Sequence, residues 1–204
     1  MPIVSNQIFL ALANGNFEAG ATNWQEVSLQ NESLVVKAET AKVAAHSGVW
    51  IAWLGGLSQE VSFIHQTVTV PRQTPTLQFW YWISSKDDCD YDFGGVLIDG
   101  AVVDKFDLCA TSQTGGWKLR TVNLNAYAAQ TVEMQIRAET DELVPSTLLI
   151  DDIVVGSTVL AAELPAAAVA EPLRKADDGA ATAAQAANPA AIRLWIPAER
   201  EIGR

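Results

Sequence analysis

The sequence is short of charge, and shortest of positive charge: 18% of its 204 residues are Asp, Glu, Lys or Arg, with 13 bases against 24 acids. A net charge of -11 sets up a field that opposes phosphate backbones and anionic lipid, which argues against nucleic acid and membrane surfaces as partners. Long apolar runs are missing. None approaches the roughly 18 residues that a spanning helix needs, while a hydrophobic share of 49% is too high for an intrinsically disordered chain. Catalytic signatures are missing too. His46 and His65 are the only histidines, neither sits in an HExxH pattern, and no GxSxG, Walker or glycine-rich dinucleotide motif occurs. The nearest carboxylate group is Asp88, Asp90 and Asp92, which alternate with Cys89, Tyr91 and Phe93 and read as a hydrated face. The spacing begins like a DxDxDG calcium loop, but Phe93 stands at the glycine position and Asp99 at that of the terminal Glu. No catalytic residue is assigned, and the chain is read as non-enzymatic.

What charge there is lies at the front. Residues 1–159 carry 18 acids and 8 bases, whereas 160–204 carry 6 and 5. The division expected is a lead-in over 1–13, one module over 14–159, an Ala/Pro-rich linker over 160–191 punctuated by Pro165, Pro172 and Pro189, and an apolar tail over 192–204. The tail contains IRLWIP, in which Ile192, Leu194, Trp195 and Ile196 interrupt small and polar residues. Such a segment seldom stays in water. It is expected to dock as an edge strand or by inserting Trp195 into an apolar patch, with another chain as the favoured seat.

Before residue 160 the hydrophobic period is that of strands. FIHQTVTV sets Ile64, Val68 and Val70 against His65, Thr67 and Thr69; TLQFWYWIS sets Leu77, Phe79, Tyr81 and Ile83 against Gln78, Trp80, Trp82 and Ser84; VEMQIRAE sets Val132, Met134, Ile136 and Ala138 against Glu133, Gln135, Arg137 and Glu139. Turn signals at Gly55-Gly56, Pro71 to Pro75, Asp99-Gly100, Gly115-Gly116 and Asp141 to Pro145 separate the runs. The economical reading is all-β: about ten strands in an antiparallel two-sheet β-sandwich, a jelly roll, followed by the Ala/Pro-rich extension.

Asp99-Gly100 is a hairpin turn, and a bulge or slip of one residue in its register sets Cys89 opposite Cys109. A disulfide and a pair of buried thiols are both open on this pattern; the disulfide implies an oxidising compartment. The N-terminus MPIVSNQIFLALAN has no basic stretch and too short an apolar run for a signal peptide, so the expectation is a mature form or an excised piece of a secreted protein.

NGNFEAGATNWQE, AHSGVWIAWLGG, QTVTVP, LQFWYWIS, CDYDFGGVLIDG, TGGWKLRTVNLNAYAAQTVEMQIRAETD and LLIDDIVV follow one another in order over about residues 14–156. As a series they resemble the secreted bacterial jelly-roll modules of the MAM-type and carbohydrate-binding kind. The resemblance implies a non-catalytic extracellular or cell-surface module that binds a glycan or surface polymer; the alternatives are a structural subunit of an envelope assembly and an accessory domain of a secreted hydrolase.

Two candidate sites follow. Sugar rings stack on indoles, so Trp80 and Trp82, with Gln78 as polar neighbour on the same face, are either a ligand platform or one layer of a core. Asp151 and Asp152 lie within apolar LLIDDIVV, so whichever face is buried, one carboxylate points inward and needs a partner. That partner is Arg137 or Arg120 from another strand, backbone amides, or calcium, for which NGNFE supplies Asn14, Asn16 and Glu18. In the resembled modules a structural ion is shared by positions matching Glu18 and Asp151 or Asp152.

Overall fold

The computed structural model describes residues 12–156 and 193–196. Most of the expected lead-in, the linker over 160–191, Ile192 and the chain beyond Ile196 lie outside the described residues. Among the described residues, ten strands form two five-stranded antiparallel sheets, the sandwich expected from the alternation and turn signals. The first sheet has the order β1 (Gln25–Ser28), β4 (Val61–Thr69), β9 (Thr131–Glu139), β6 (Phe93–Ile98), β7 (Ala101–Asp107); the second has the order β2 (Val35–Lys37), β3 (Trp50–Gly55), β10 (Thr147–Val155), β5 (Thr76–Ser84), β8 (Lys118–Asn123).

Each sheet turns its apolar alternation inward. Ile64, Val68, Val96, Ile98, Val132, Met134 and Ile136 of the first sheet meet Leu54, Leu77, Phe79, Ile83, Leu148 and Ile150 of the second in one buried core. The Asp99-Gly100 turn joins Ile98 to Ala101 as expected, with positive φ at both turn residues, 48° and 79°. Cys89 and Cys109 are disulfide-bonded, their Cα atoms 4.9 Å apart, but the hairpin register does not bring them together. Its bulge puts the extra residue, Val103, on β7, which leaves Phe93 opposite Asp107 and shifts the register away from the pair. Cys89 and Cys109 lie beyond the strand ends, next to the 3-10 turn Ala110–Ser112, and the loops close the bond.

The early Asn-Gly turn is locked to the last strand. Ile153 N donates to the Gly15 carbonyl at 2.8 Å, and a Cβ at residue 15 would overlap the Ile153 carbonyl, so only glycine fits there.

Candidate functional site

The outer face of the second sheet carries the tryptophans. Trp80 and Trp82 alternate with the core residues Phe79, Tyr81 and Ile83 and so leave the inter-sheet core, but they do not reach solvent: they are 7% and 6% exposed. The 38–49 segment covers them. Ala38 and Ala41 pack with Trp82, Trp53, Ile51 and Leu149 in a second cluster, which Trp117 borders. The His46 ring stacks on Trp80 with centroids 3.9 Å apart, and Trp117 meets Trp82 edge-on at 5.9 Å while donating from Nε1 to the Ala44 carbonyl. Gln78 donates to Thr121 Oγ1 at 3.2 Å and is itself buried. The expected platform is therefore closed by its own chain.

The paired aspartates share this face, because the strand is not regular. Asp151 stands opposite Trp80 and Val154 opposite Gln78, so Asp152 and Ile153 together face Phe79, and Asp152 adopts a φ of 47°. The bulge returns Ile153 to the inter-sheet core and puts both carboxylates on the outer face rather than toward that core, yet Asp151 is fully buried there, so one of the pair does need partners, as expected. Asp151 accepts from Ser47 N at 3.0 Å and Asp152 N at 2.7 Å; Asp152 receives Ser47 Oγ at 2.8 Å and lies 2.5 Å from His46 Nδ1. Burial, with Asp152 alongside, pushes Asp151 up to about 8, against the pull of the backbone donors. Backbone amides and His46 hold the pair. The guanidiniums of Arg120 and Arg137 are engaged elsewhere, with Asp104 and Glu139.

Glu18 reaches the same segment, accepting from Val49 N and Trp50 N at 2.8 and 2.9 Å. Asn14 spends its amide on the local turn, donating to the Gly20 and Thr22 carbonyls and accepting from Ala19 N. Asn16 Oδ1 accepts from Glu18 N at 3.5 Å. Ligand atoms of His46, Asp151 and Asp152 lie within 4.8 Å of one another, a cluster to which no motif or spacing had assigned His46.

Asp92 is not on a hydrated face. It is fully buried at the disulfide end, where its two oxygens accept from Asp141 N at 2.7 Å and Ser146 N at 2.8 Å.

The outer face of the first sheet is the more open one. Phe63 and His65 on β4 stand opposite Arg137 and Gln135 on β9; Phe63, His65 and Gln135 are each partly exposed. Arg137 and Glu139 are buried and paired, with Arg137 Nε 2.8 Å from Glu139 Oε1. Desolvation lowers the Arg137 pKa, and the adjacent carboxylate raises it back in part. The guanidinium lies 5.3 Å from the Phe63 centroid and 5.9 Å from that of Trp195. Tail residues 193–196 are laid on this sheet of the same chain, whereas another chain was the expected seat: Trp195 sits over Gly95 with its ring edge-on to Phe93 at 6.4 Å. Alternation had placed Arg137 and Glu139 on one face, but nothing in it signalled a seat for the tail.

No protein-family model and no curated protein matches the sequence. Solved structures do match by shape. TmCBM61, in complex with beta-1,4-galactotriose, aligns with a TM-score of 0.51 and 18% identity over 71% of this chain and 95% of its own. The K2 cleaved adhesin domain of Lys-gingipain aligns with a TM-score of 0.51 and 15% identity over 68% of this chain and 95% of its own. The chain shares their β-sandwich fold.

Proposed function

We propose that the protein is a non-catalytic binding module of the carbohydrate-binding or adhesin type that works outside the cell, and that the outer face of its first sheet receives a glycan. The observation that carries this reading is the partly exposed set of Phe63, His65 and Gln135 beside the buried Arg137: an aromatic face for a sugar ring, flanked by side chains that donate to and accept from hydroxyls. The fold shared with a galactotriose-bound module and an adhesin domain agrees with it. The disulfide agrees with an oxidising compartment. A glycan array probed with the full chain, followed by titration of its best ligand, provides the test. Phe63→Ala and Gln135→Ala are each expected to weaken binding about tenfold or more without unfolding the sandwich. An array with no ligand, or affinities unchanged in both variants, would overturn the assignment.

A structural calcium ion belongs to the same proposal. Glu18 and Asp151 converge on the Ser47–Trp50 backbone with Asp152 adjacent, hard oxygen donors of the type calcium takes, and a buried carboxylate raised to about 8 gains from a divalent charge. Asn14 and Asn16 stay in the proposed ligand set beside Glu18, Asn14 Oδ1 accepting one hydrogen bond, from Ala19 N, and keeping a second lone pair.

A further inference from the structure

We propose that the outer face of the first sheet also holds a peptide-recognition site, whose ligand is the Arg193–Ile196 segment of this chain. The anchor is Glu139. Its carboxylate is fully buried, and a desolvated carboxylate must be met by donors. Arg137 serves Oε1, and three consecutive main-chain N–H groups complete the shell: Leu194 N donates to Oε1 at 2.7 Å, and Trp195 N and Ile196 N donate to Oε2 at 3.1 and 3.2 Å. One carboxylate thus grips the turn of a peptide by its backbone.

Side chains supply the selectivity. A Cβ at Gly95 would stand 2.5 Å from the Asp104 carbonyl and 2.7 Å from the Trp195 ring, so the glycine that the neighbouring strand requires also leaves a slot for an indole. Phe93 walls the slot, and the Lys105 ammonium lies 5.7 Å from the indole centroid, with Arg137 completing a cationic border. Arg193 Nη1 donates to the Thr140 carbonyl at 3.1 Å, and Ile196 is buried while Leu194 is exposed. The pattern read is Arg, any residue, Trp, then an apolar residue. A carboxylate this deeply buried, 55 residues away in sequence, would lose three donors if the segment left, so another peptide of the same pattern should take its place. The two sites share β9 and Arg137, but the anchor Glu139 and the Gly95 slot are used by the peptide alone, and Phe63 and His65 lie on β4, so this inference does not depend on the glycan reading.

The test empties the seat and refills it. Trp195→Pro in the full chain removes both the indole and one of the three N–H donors. A fluorescent synthetic peptide, AIRLWIPA, is then titrated against it. Saturable binding is expected, about tenfold or more tighter than to the unaltered chain, whose seat is filled. The same peptide N-methylated at its Trp nitrogen, or with Trp replaced by Ala, is expected to bind about tenfold or more weakly. No saturable binding to the variant, or equal binding of the N-methylated peptide, would overturn the proposal. Hydrogen exchange on the unaltered chain needs no folded variant: Leu194, Trp195 and Ile196 amides should exchange about tenfold or more slowly than in the free peptide, and equal rates would also overturn it.

Discussion

Asp92 offers the sharpest test of how this chain manages buried charge. Its carboxyl is fully buried, and desolvation raises its pKa from 3.8 to about 7, although the Asp141 and Ser146 amides pull the other way. Between about pH 4 and 7 the folded chain therefore holds a proton that the unfolded chain has released. Stability from this group is fully present below about pH 4, falls as pH rises, and is lost above about pH 7. About three pH units at roughly 1.4 kcal/mol each make a loss of about 4 kcal/mol, of which about 3 lies between pH 5 and 8. Asp92→Asn removes the titration. It also turns one acceptor into an NH2 group facing a backbone N–H, a pH-independent cost of about 1–3 kcal/mol. Urea unfolding of both proteins across this range should show the variant less stable at pH 5, gaining about 3 kcal/mol on the wild type by pH 8. Other groups cancel in the difference. Parallel stability curves would refute the reasoning, because they would mean that the two amides keep Asp92 ionised in the fold against the cost of burial.

The disulfide closes a separation of 20 residues, so Cys89→Ala with Cys109→Ala should cost about 3 kcal/mol in denaturant unfolding; no change would mean that the loops are held by hydrogen bonds alone. Trp82→Ala should cost about 3–5 kcal/mol, since it empties the cluster beneath the 38–49 segment, and a near-neutral variant would place this indole in solvent. Millimolar calcium should raise the melting temperature above that in chelator, an effect that Asp151→Asn abolishes; identical melts would leave Ser47 and His46 as the partners of the pair. Gly15→Ala should destabilise by about 1–3 kcal/mol through its overlap with the Ile153 carbonyl, measurable as a lower thermal midpoint.

Two-residue alternation was enough to find β4, β5 and β9 and their inward faces, whereas β6, buried at every residue, has no alternation to read. Gln78, Trp80 and Trp82 do share a face, as Glu133, Gln135, Arg137 and Glu139 do. What alternation does not carry is whatever lies on top of a face. The 38–49 segment has no period of its own, but its small residues Ala38 and Ala41 let backbone lie close over the indoles, which converts an apparent sugar platform into a second small core. Bulges are equally silent. Asp152 at positive φ has no glycine to announce it, and that single residue decides that both aspartates leave the inter-sheet core.

The scarcity of bases is resolved by what the acids do. Glu26 accepts from the amides of Leu34 and Val35, Glu60 from those of Leu29 and Gln30, Glu18 from Val49 and Trp50, Asp92 from Asp141 and Ser146, and Glu139 from the tail. In each case a carboxylate satisfies backbone donors in a loop or at a strand end that no ladder reaches; Glu60 and Asp92 are buried on these donors, while Glu139 adds the Arg137 guanidinium to them. The chain can thus carry 24 acids against 13 bases and still tie its connections to the sandwich. It follows that an acid-to-amide change at any of these positions acts first on a loop and only then on charge. At Glu139, where the loop gripped is the chain's own distant tail, the same device becomes recognition.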